Sequence, residues 1–196
     1  GNEAFVVART YKTLFSAATY MHNSILLDDK DAKLDPEDVK ATNDKVQFSY
    51  TVEAAQGQAA AILKFGGYTV SLNHDELVDA AKKVIANAVA KGYDVLLQEQ
   101  KQAWASIWEM ADITIEGDVK AQQGIRFNIF QLNQTYLGKD PRLNIGPKGF
   151  TGEKYGGSTY WDTEAYCIPF YLGTAEQKEA RNLLIYRYMH LGKAIE

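Results

Sequence analysis

Residues 59–92 read AAAILKFGGYTVSLNHDELVDAAKKVIANAVAKG, and the pattern of this stretch changes once, near Asn73. Before that point, short runs of apolar and β-favouring residues separated by turn residues are typical of strands. After it, Asn73 and the acids behind it favour the start of a helix. Apolar residues then recur with helical spacing at Val78, Ala81, Val84, Ile85 and Ala88. Strands followed by helices predict an α+β fold.

The residues before this stretch continue the strand pattern. Ala4–Tyr11 and Leu14–Leu27 contain many small and β-favouring residues, and Val46–Val52 alternates apolar and polar residues. The polar, charged stretch Asp28–Asp44 is predicted to be a long loop. Within the opening stretch, we expect Gly66-Gly67 to separate two strands.

The residues after the opening stretch predict further helices. Gly92 is expected to end the first helix, and Pro169 to limit or kink a later one. Residues 139–158, rich in Gly and Pro, are predicted to form a loop. Thr174 and Gln177 have the arrangement of a capping box at the start of the last helix. The predicted helices beyond Gly92 are Tyr93–Met110, Val119–Leu137, Trp161–Leu172 and Thr174–Ile195.

The composition excludes several function classes. The 196 residues carry a net charge of −4, so no basic field attracts nucleic acid or an anionic membrane. The three His show no metal-ligand spacing, and we expect no metal. Cys167 is the single cysteine, which excludes an internal disulfide and favours a reducing compartment. Because it has no evident His partner, we expect a buried structural thiol. A cytoplasmic location is the expectation.

An aromatic–acid cluster, Tyr160-Trp161-Asp162-Thr163-Glu164, follows the glycine-rich loop. An indole can stack on the apolar C–H face of a sugar ring, and a carboxylate can accept charge-assisted hydrogen bonds from sugar hydroxyls. The alternative interpretation is a half-buried Trp161 beside an Asp162 that caps a helix. From these residues alone, the two interpretations are equally supported.

Three ordered blocks of sequence resemble a known family. Residues 149–157 with 160–164 are similar to the substrate-site signature of the maltose phosphorylase/kojibiose phosphorylase family, glycoside hydrolase family 65, and most of all to its maltose phosphorylases. Residues 123–132 and 142–148 fit the same family. The specific likeness covers about residues 119–196, while the first hundred residues agree in organisation only.

The resemblance implies a fold. Family members have an N-terminal β-sandwich, a linker of helices and an (α/α)6-barrel catalytic domain. We therefore expect residues 1–73 to be the C-terminal part of the sandwich, 74–117 the helical linker and 118–196 the first helices of the barrel. Because the family's chains are several times longer, the chain is expected to be a truncated central fragment.

The resemblance also implies an activity. Such enzymes cleave an α-glucoside with inorganic phosphate and invert the anomeric centre, so maltose would give β-glucose 1-phosphate and glucose. Phosphate is a co-substrate, and no cofactor is expected. The matching Trp161 and Asp162 would contact the glucose ring on the non-reducing side of the scissile bond. Other expected substrate-pocket residues are Tyr160, Lys148, Thr151, Glu153, Lys154 and Tyr155.

The catalytic acid is not expected in this chain. In the family it is a Glu in a later segment, so we expect it beyond Glu196, and we expect Glu164 to be either a residue at the start of a helix or a brace behind the site. The fragment alone is predicted to be inactive, and the complete protein to be a homodimer. Two alternatives stay open: a hydrolase of the same family, which uses water in place of phosphate, and a non-catalytic carbohydrate-binding module.

Overall fold

The structure is a computed structural model of the chain and describes residues 1–146, 149 and 158–196. Strands come first and helices follow, which confirms the predicted α+β class. The chain forms two compact units, Gly1–Glu99 and Gln100–Glu196. None of the helices among these described residues combines the length and the apolar character that a membrane span needs.

The first unit contains six strands: β1 Glu3–Arg9, β2 Ser16–Leu27, β3 Lys30–Asp31, β4 Asp38–Ala41, β5 Val46–Ser49 and β6 Ala60–Val70. The unit is built around the long strand β2, which pairs antiparallel with β1, β3 and β6. Strands β4 and β5 form a separate antiparallel pair.

The predicted loop Asp28–Asp44 is partly wrong, because it contains β3 and β4. Asp28 and Asp29 adopt positive φ angles of 48° and 61°. This tight turn returns the chain so that Leu26–Leu27 pairs with Lys30–Asp31. Asp tolerates the left-handed region better than most residues, and cross-strand pairing then outweighs the polar composition.

The predicted break at Gly66-Gly67 is wrong, because β6 runs through both glycines. Gly67 lies directly opposite Tyr20 of β2. A Cβ atom at Gly67 would lie only 2.8 Å from the Tyr20 hydroxyl. The glycine therefore makes room for a cross-strand aromatic ring, an arrangement that stabilises a sheet in place of interrupting it.

Helix α1 spans Leu77–Ala111 and is interrupted at Gly92, whose φ of 77° and ψ of 169° are not helical. The prediction that Gly92 ends the first helix is thereby confirmed. Ahead of the helix, Thr69 donates a hydrogen bond to the Leu77 carbonyl at 2.9 Å. In the first unit, Ala81 and Ile85 pack against Tyr20, and this cluster forms the core beneath the sheet.

The second unit is helical. Asp118 caps α2 (Val119–Thr135) by accepting hydrogen bonds from the backbone N–H groups of Lys120 and Ala121. Pro169 lies in the first turn of α3 (Ile168–Thr174), directly after a π-helical turn. The elements are α2 Val119–Thr135, a π-helical turn Thr163–Cys167, α3 Ile168–Thr174, α4 Gln177–Met189 and α5 Leu191–Ile195.

The predicted capping box at Thr174 is wrong. Thr174 ends α3, and its hydroxyl donates to the carbonyl of Phe170 at 2.7 Å. Glu176 occupies the N-cap position of α4 and makes no side-chain capping bond. The predicted last helix is also divided, because α4 ends at Met189 and α5 starts at Leu191.

Tyr171 is the centre of the second unit's core and has no solvent exposure. Its hydroxyl lies 3.0 Å from the Leu132 carbonyl and 3.1 Å from the Tyr136 carbonyl. The hydroxyl thereby ties α3 to the end of α2, where the Leu132 carbonyl also accepts from the N–H of Tyr136. The buried residues around it are Tyr136, Ile145, Ala180 and Leu183.

Candidate functional site

One arginine holds the segment that carries the predicted sugar-binding residues. Arg187, in the last turn of α4, donates from Nε to Glu164 Oε1 at 2.7 Å and from Nη1 to Thr159 Oγ1 at 2.8 Å. Its Nη2 donates to the backbone carbonyl of Tyr160. One guanidinium therefore fixes the chain on both sides of the dipeptide 161–162, and Glu164 has the bracing contact that we expected.

Thr163, the residue after Asp162, anchors the same segment from its other side. Thr163 is buried, and its hydroxyl donates to the carbonyl of Ile145 at 3.3 Å. Ile145 is also buried, and a Cβ atom at the next residue, Gly146, would lie 3.9 Å from the carbonyl oxygen of Ser158. The two described ends of the glycine-rich loop therefore meet beside the turn.

Gly149 is the one described residue between Gly146 and Ser158. Its N–H donates to the Gly146 carbonyl at 2.9 Å, and its φ is +60°. A Cβ atom there would lie 3.1 Å from the hydroxyl oxygen of Thr135. A left-handed conformation and a close approach to α2 both favour glycine at this position.

Trp161 and Asp162 are presented to solvent. The Trp161 side chain is 69% exposed, and its ring lies 6.3 Å from the ring of Tyr166, which is 67% exposed. Asp162 is exposed and makes no capping hydrogen bond to the turn that follows. The alternative interpretation, a half-buried Trp beside a helix-capping Asp, is therefore wrong on both points.

The backbone of the turn explains the pairing of the two exposed rings. The N–H of Ile168 bonds to the carbonyl of Thr163, five residues back, which is the pattern of a π-helix. Trp161, just before this turn, and Tyr166, within it, come together as a tilted pair with an interplanar angle of 37°. Short π-helical turns are frequent at functional sites.

Cys167 lies behind this surface. The thiol is half-buried and packs against the core around Tyr171. Burial raises the pKa of Cys167, and the negative charges of Glu164 and Asp162 raise it further. Because the thiolate is the reactive form, this environment fits the predicted structural thiol and disfavours a nucleophile.

The site joins three predicted residues to three that the sequence analysis missed. Tyr160, Trp161 and Asp162 lie on the braced segment, whereas the predicted loop residues Lys148, Thr151, Glu153, Lys154 and Tyr155 lie outside the described residues. Arg187, Tyr166 and the buried Thr163 were not predicted. Within residues 1–146, 149 and 158–196, no three His, Cys, Asp or Glu side chains are grouped so as to hold a metal ion.

Comparison with known proteins identifies the class of the chain. The model of the glycosyl hydrolase family 65 N-terminal domain matches residues 1–107, and that of the family's central catalytic domain matches residues 126–196. Together they cover both units of an α+β chain with an exposed aromatic–acid pair. The chain belongs to glycosyl hydrolase family 65, and the predicted resemblance is confirmed.

Individual relatives agree with this assignment. The chain is 48% identical over 160 residues to a maltose phosphorylase of Bacillus subtilis (strain 168), covering 81% of this chain and 21% of that protein. It is 37% identical over 199 residues to an alpha,alpha-trehalose phosphorylase of Thermoanaerobacter brockii, covering 99% of this chain and 24% of that protein. A solved structure, "Putative kojibiose phosphorylase from human microbiome", superimposes with a TM-score of 0.80 at 26% identity and covers 99% of this chain and 25% of that chain. The chain thus spans about a fifth to a quarter of the length of these proteins.

Proposed function

We propose that the chain is part of an inverting disaccharide phosphorylase that cleaves maltose with inorganic phosphate to β-glucose 1-phosphate and glucose. The observation that carries this proposal is the exposure of Trp161 and Asp162 on a turn that Arg187 and Thr163 hold in place. Family membership and the phosphorylase names of the relatives support the reaction class.

The exposed pair suits one face of a glucose ring. The Trp161 indole offers an apolar surface for the C–H face of the sugar, with Tyr166 beside it at 6.3 Å. The Asp162 carboxylate accepts hydrogen bonds from sugar hydroxyls. We assign the remaining wall of the pocket to Tyr160, Lys148, Thr151, Glu153, Lys154 and Tyr155.

The chemistry needs one protein acid. Phosphate attacks the anomeric carbon from the side opposite the leaving group, the acid donates its proton to the glycosidic oxygen, and the C–O bond breaks with inversion. We place this acid beyond Glu196, as the resemblance to the family implies, and we leave Glu164, which accepts a hydrogen bond from Arg187, as a brace. The 196-residue chain alone is therefore proposed to be inactive, and phosphate to be the co-substrate without any cofactor.

The architecture follows the same proposal. Residues 1–73 would be the C-terminal part of a β-sandwich, 74–117 a helical linker and 118–196 the opening of an (α/α)6 barrel. The strands and helices of the structure occur in the order that this assignment needs. We further propose a cytoplasmic homodimer for the complete protein.

The test is a phosphorolysis assay on the full-length protein, with maltose in the presence and absence of inorganic phosphate. We expect β-glucose 1-phosphate to form only with phosphate. Release of glucose without phosphate would overturn phosphorolysis in favour of hydrolysis. If kojibiose, nigerose or trehalose reacts in place of maltose, the reaction class stands and the choice of substrate is wrong.

Variants then test the site. Asp162→Asn removes a charge-assisted acceptor worth about 1.5–3 kcal/mol, so kcat/KM should fall by about ten- to a hundredfold. Trp161→Phe keeps an aromatic face and should lose less than Trp161→Ala. The matched control is Asp79→Asn, which makes the same change at an exposed carboxylate in α1. Equal effects at residues 79 and 162 would refute the assigned site.

A further inference from the structure

We propose that Arg187 is the positioning residue of the sugar site: it fixes Trp161 and Asp162 for the glucose ring and so controls the affinity for the disaccharide without touching it. This inference rests on the proposed function. It assigns a role to a side chain that lies 23 residues beyond Glu164 and on a different helix.

The contacts of Arg187 have a geometry that fixes the backbone. The three donor nitrogens of the guanidinium each reach a different residue, Thr159, Tyr160 and Glu164. Two of these acceptors precede the pair 161–162, and the third follows it. Because the guanidinium is planar and rigid, the three bonds define both the position and the direction of the intervening backbone. A lysine offers a point charge on a flexible stem and cannot reproduce them.

Among the described residues, the exposed pair has little support of its own. Within this part of the chain, the only ring that pairs with Trp161 is that of Tyr166, which is itself exposed. Asp162 makes no capping bond. Thr163 secures the C-terminal side of the pair through Ile145. Arg187 supplies the equivalent support on the N-terminal side. Such support matters because a side chain that binds a ligand keeps its exact position only when neighbouring residues hold it.

The same unit contains a matched comparison. Arg126 also makes a two-pronged ion pair, from Nε to Asp112 Oδ1 at 2.8 Å and from Nη2 to Oδ2 at 2.6 Å. This pair joins the residue after α1 to α2, and in the described part of the chain Arg126 makes no hydrogen bond to residues 158–164. An arginine that is merely structural should behave like Arg126.

The experiment compares Arg187→Lys, Arg187→Gln and Arg126→Gln in the full-length protein. For Arg187→Lys, which can keep the ion pair with Glu164, we expect KM for maltose to rise about tenfold or more, because losing one charge-assisted hydrogen bond between Asp162 and the sugar costs about 1.5–3 kcal/mol. KM for phosphate should not change. Arg126→Gln should lower the melting temperature and leave both KM values unaltered.

A double variant tests whether Arg187 acts through the pair. If it does, Arg187→Lys should add little to KM for maltose once Trp161 has been changed to Ala, since residues that act as a unit are not additive. Amide hydrogen exchange should also quicken over residues 158–164 in Arg187→Gln and not in Arg126→Gln.

The outcomes separate this inference from the proposed function. If Trp161→Ala raises KM for maltose but neither Arg187 variant does, the positioning role is wrong and the proposed function stands. Unchanged hydrogen exchange over residues 158–164 also overturns the role. If the wild-type protein phosphorolyses no disaccharide, the proposed function fails, and the exchange experiment still decides whether Arg187 orders the segment.

Discussion

Nε of Arg187 lies 2.7 Å from Oε1 of Glu164 and donates a hydrogen bond to it between two helical elements. The acid that stands closest in sequence to the sugar-binding pair is therefore engaged by a cation. Both side chains are half-buried, and two-pronged or networked arginine contacts are stronger than ordinary surface pairs. This contact holds the Glu164 side chain in place within the turn.

The first prediction concerns Glu164→Gln. The amide oxygen can still accept from Arg187, so we expect kcat/KM for maltose to fall by less than about tenfold, whereas loss of a general acid costs about 10²–10⁴. The alkaline limb of the kcat profile, which reports the group that must be protonated, should persist. Its disappearance, with a collapse of kcat, would show that Glu164 is the acid after all.

The second prediction concerns the buried hydroxyl of Thr163. Thr163→Val keeps the shape but leaves the Ile145 carbonyl without this donor, at a cost of about 1–3 kcal/mol in the free energy of unfolding. Because the turn is then held from one side only, KM for maltose should also rise. Thr163→Ser keeps the hydroxyl and should leave KM near the wild-type value. Equal KM values in both variants would contradict the anchoring role.

The third prediction contrasts two buried tyrosines. The Tyr171 hydroxyl is within hydrogen-bond distance of two carbonyls, so Tyr171→Phe should lower the free energy of unfolding by about 1–3 kcal/mol. The Tyr136 hydroxyl is buried and has no hydrogen-bond partner in the described part of the chain. Tyr136→Phe should therefore be neutral or stabilising at pH 7, and urea unfolding of the two variants checks the contrast. A larger loss at residue 136 than at residue 171 would contradict it.

The same tyrosines predict an alkaline loss of stability. Burial raises the pKa of Tyr136 to about 12, with the charges of Glu179 and Asp140 as further causes, and burial also raises the pKa of Tyr171. The folded state then holds these protons more tightly than the unfolded state. Their contribution is complete below about pH 10, the ordinary tyrosine value, and is lost as the pH rises towards 12. Urea midpoints at pH 8 and pH 11 should differ less in Tyr136→Phe than in the wild type.

Much of the fold was predictable because periodicity is a local property. The change from strand to helix near Asn73 and the interruption of α1 at Gly92 can both be read from neighbouring residues. The predictions of the fold failed where a residue far away in the sequence determines the local structure. Gly67 stays in its strand because Tyr20 lies opposite it, and the loop after Leu27 contains strands because they find pairing partners.

The residues of the site also fall into two groups, those that a local motif reveals and those that depend on contacts distant in sequence. Tyr160, Trp161 and Asp162 are consecutive, so their chemistry is visible as a motif, and the family match rests on such blocks. Arg187 carries no local signal, since its partners lie 23 to 28 residues earlier. Tyr166 lies in the π-helical turn, where the N–H of Ile168 bonds five residues back, and its ring pairs with that of Trp161.

The last prediction concerns Gly138, which links α2 to the loop that leads to the site. Its φ of +64° is left-handed, and a Cβ atom there would overlap the backbone and side chain of Glu179 in α4. Its carbonyl also accepts a hydrogen bond from the buried Asn182. Gly138→Ala should therefore cost more than the roughly 1–2 kcal/mol of the left-handed conformation alone.

Gly173 provides the matched control within the same unit. It lies inside α3 with open space where a Cβ atom would be, so Gly173→Ala should stabilise the protein by about 0.5–1 kcal/mol. Urea unfolding followed by circular dichroism measures both changes. If Gly138→Ala is tolerated as well as Gly173→Ala, the close packing of α4 against the end of α2 is wrong. The packing of the core around Tyr171 would then need another explanation.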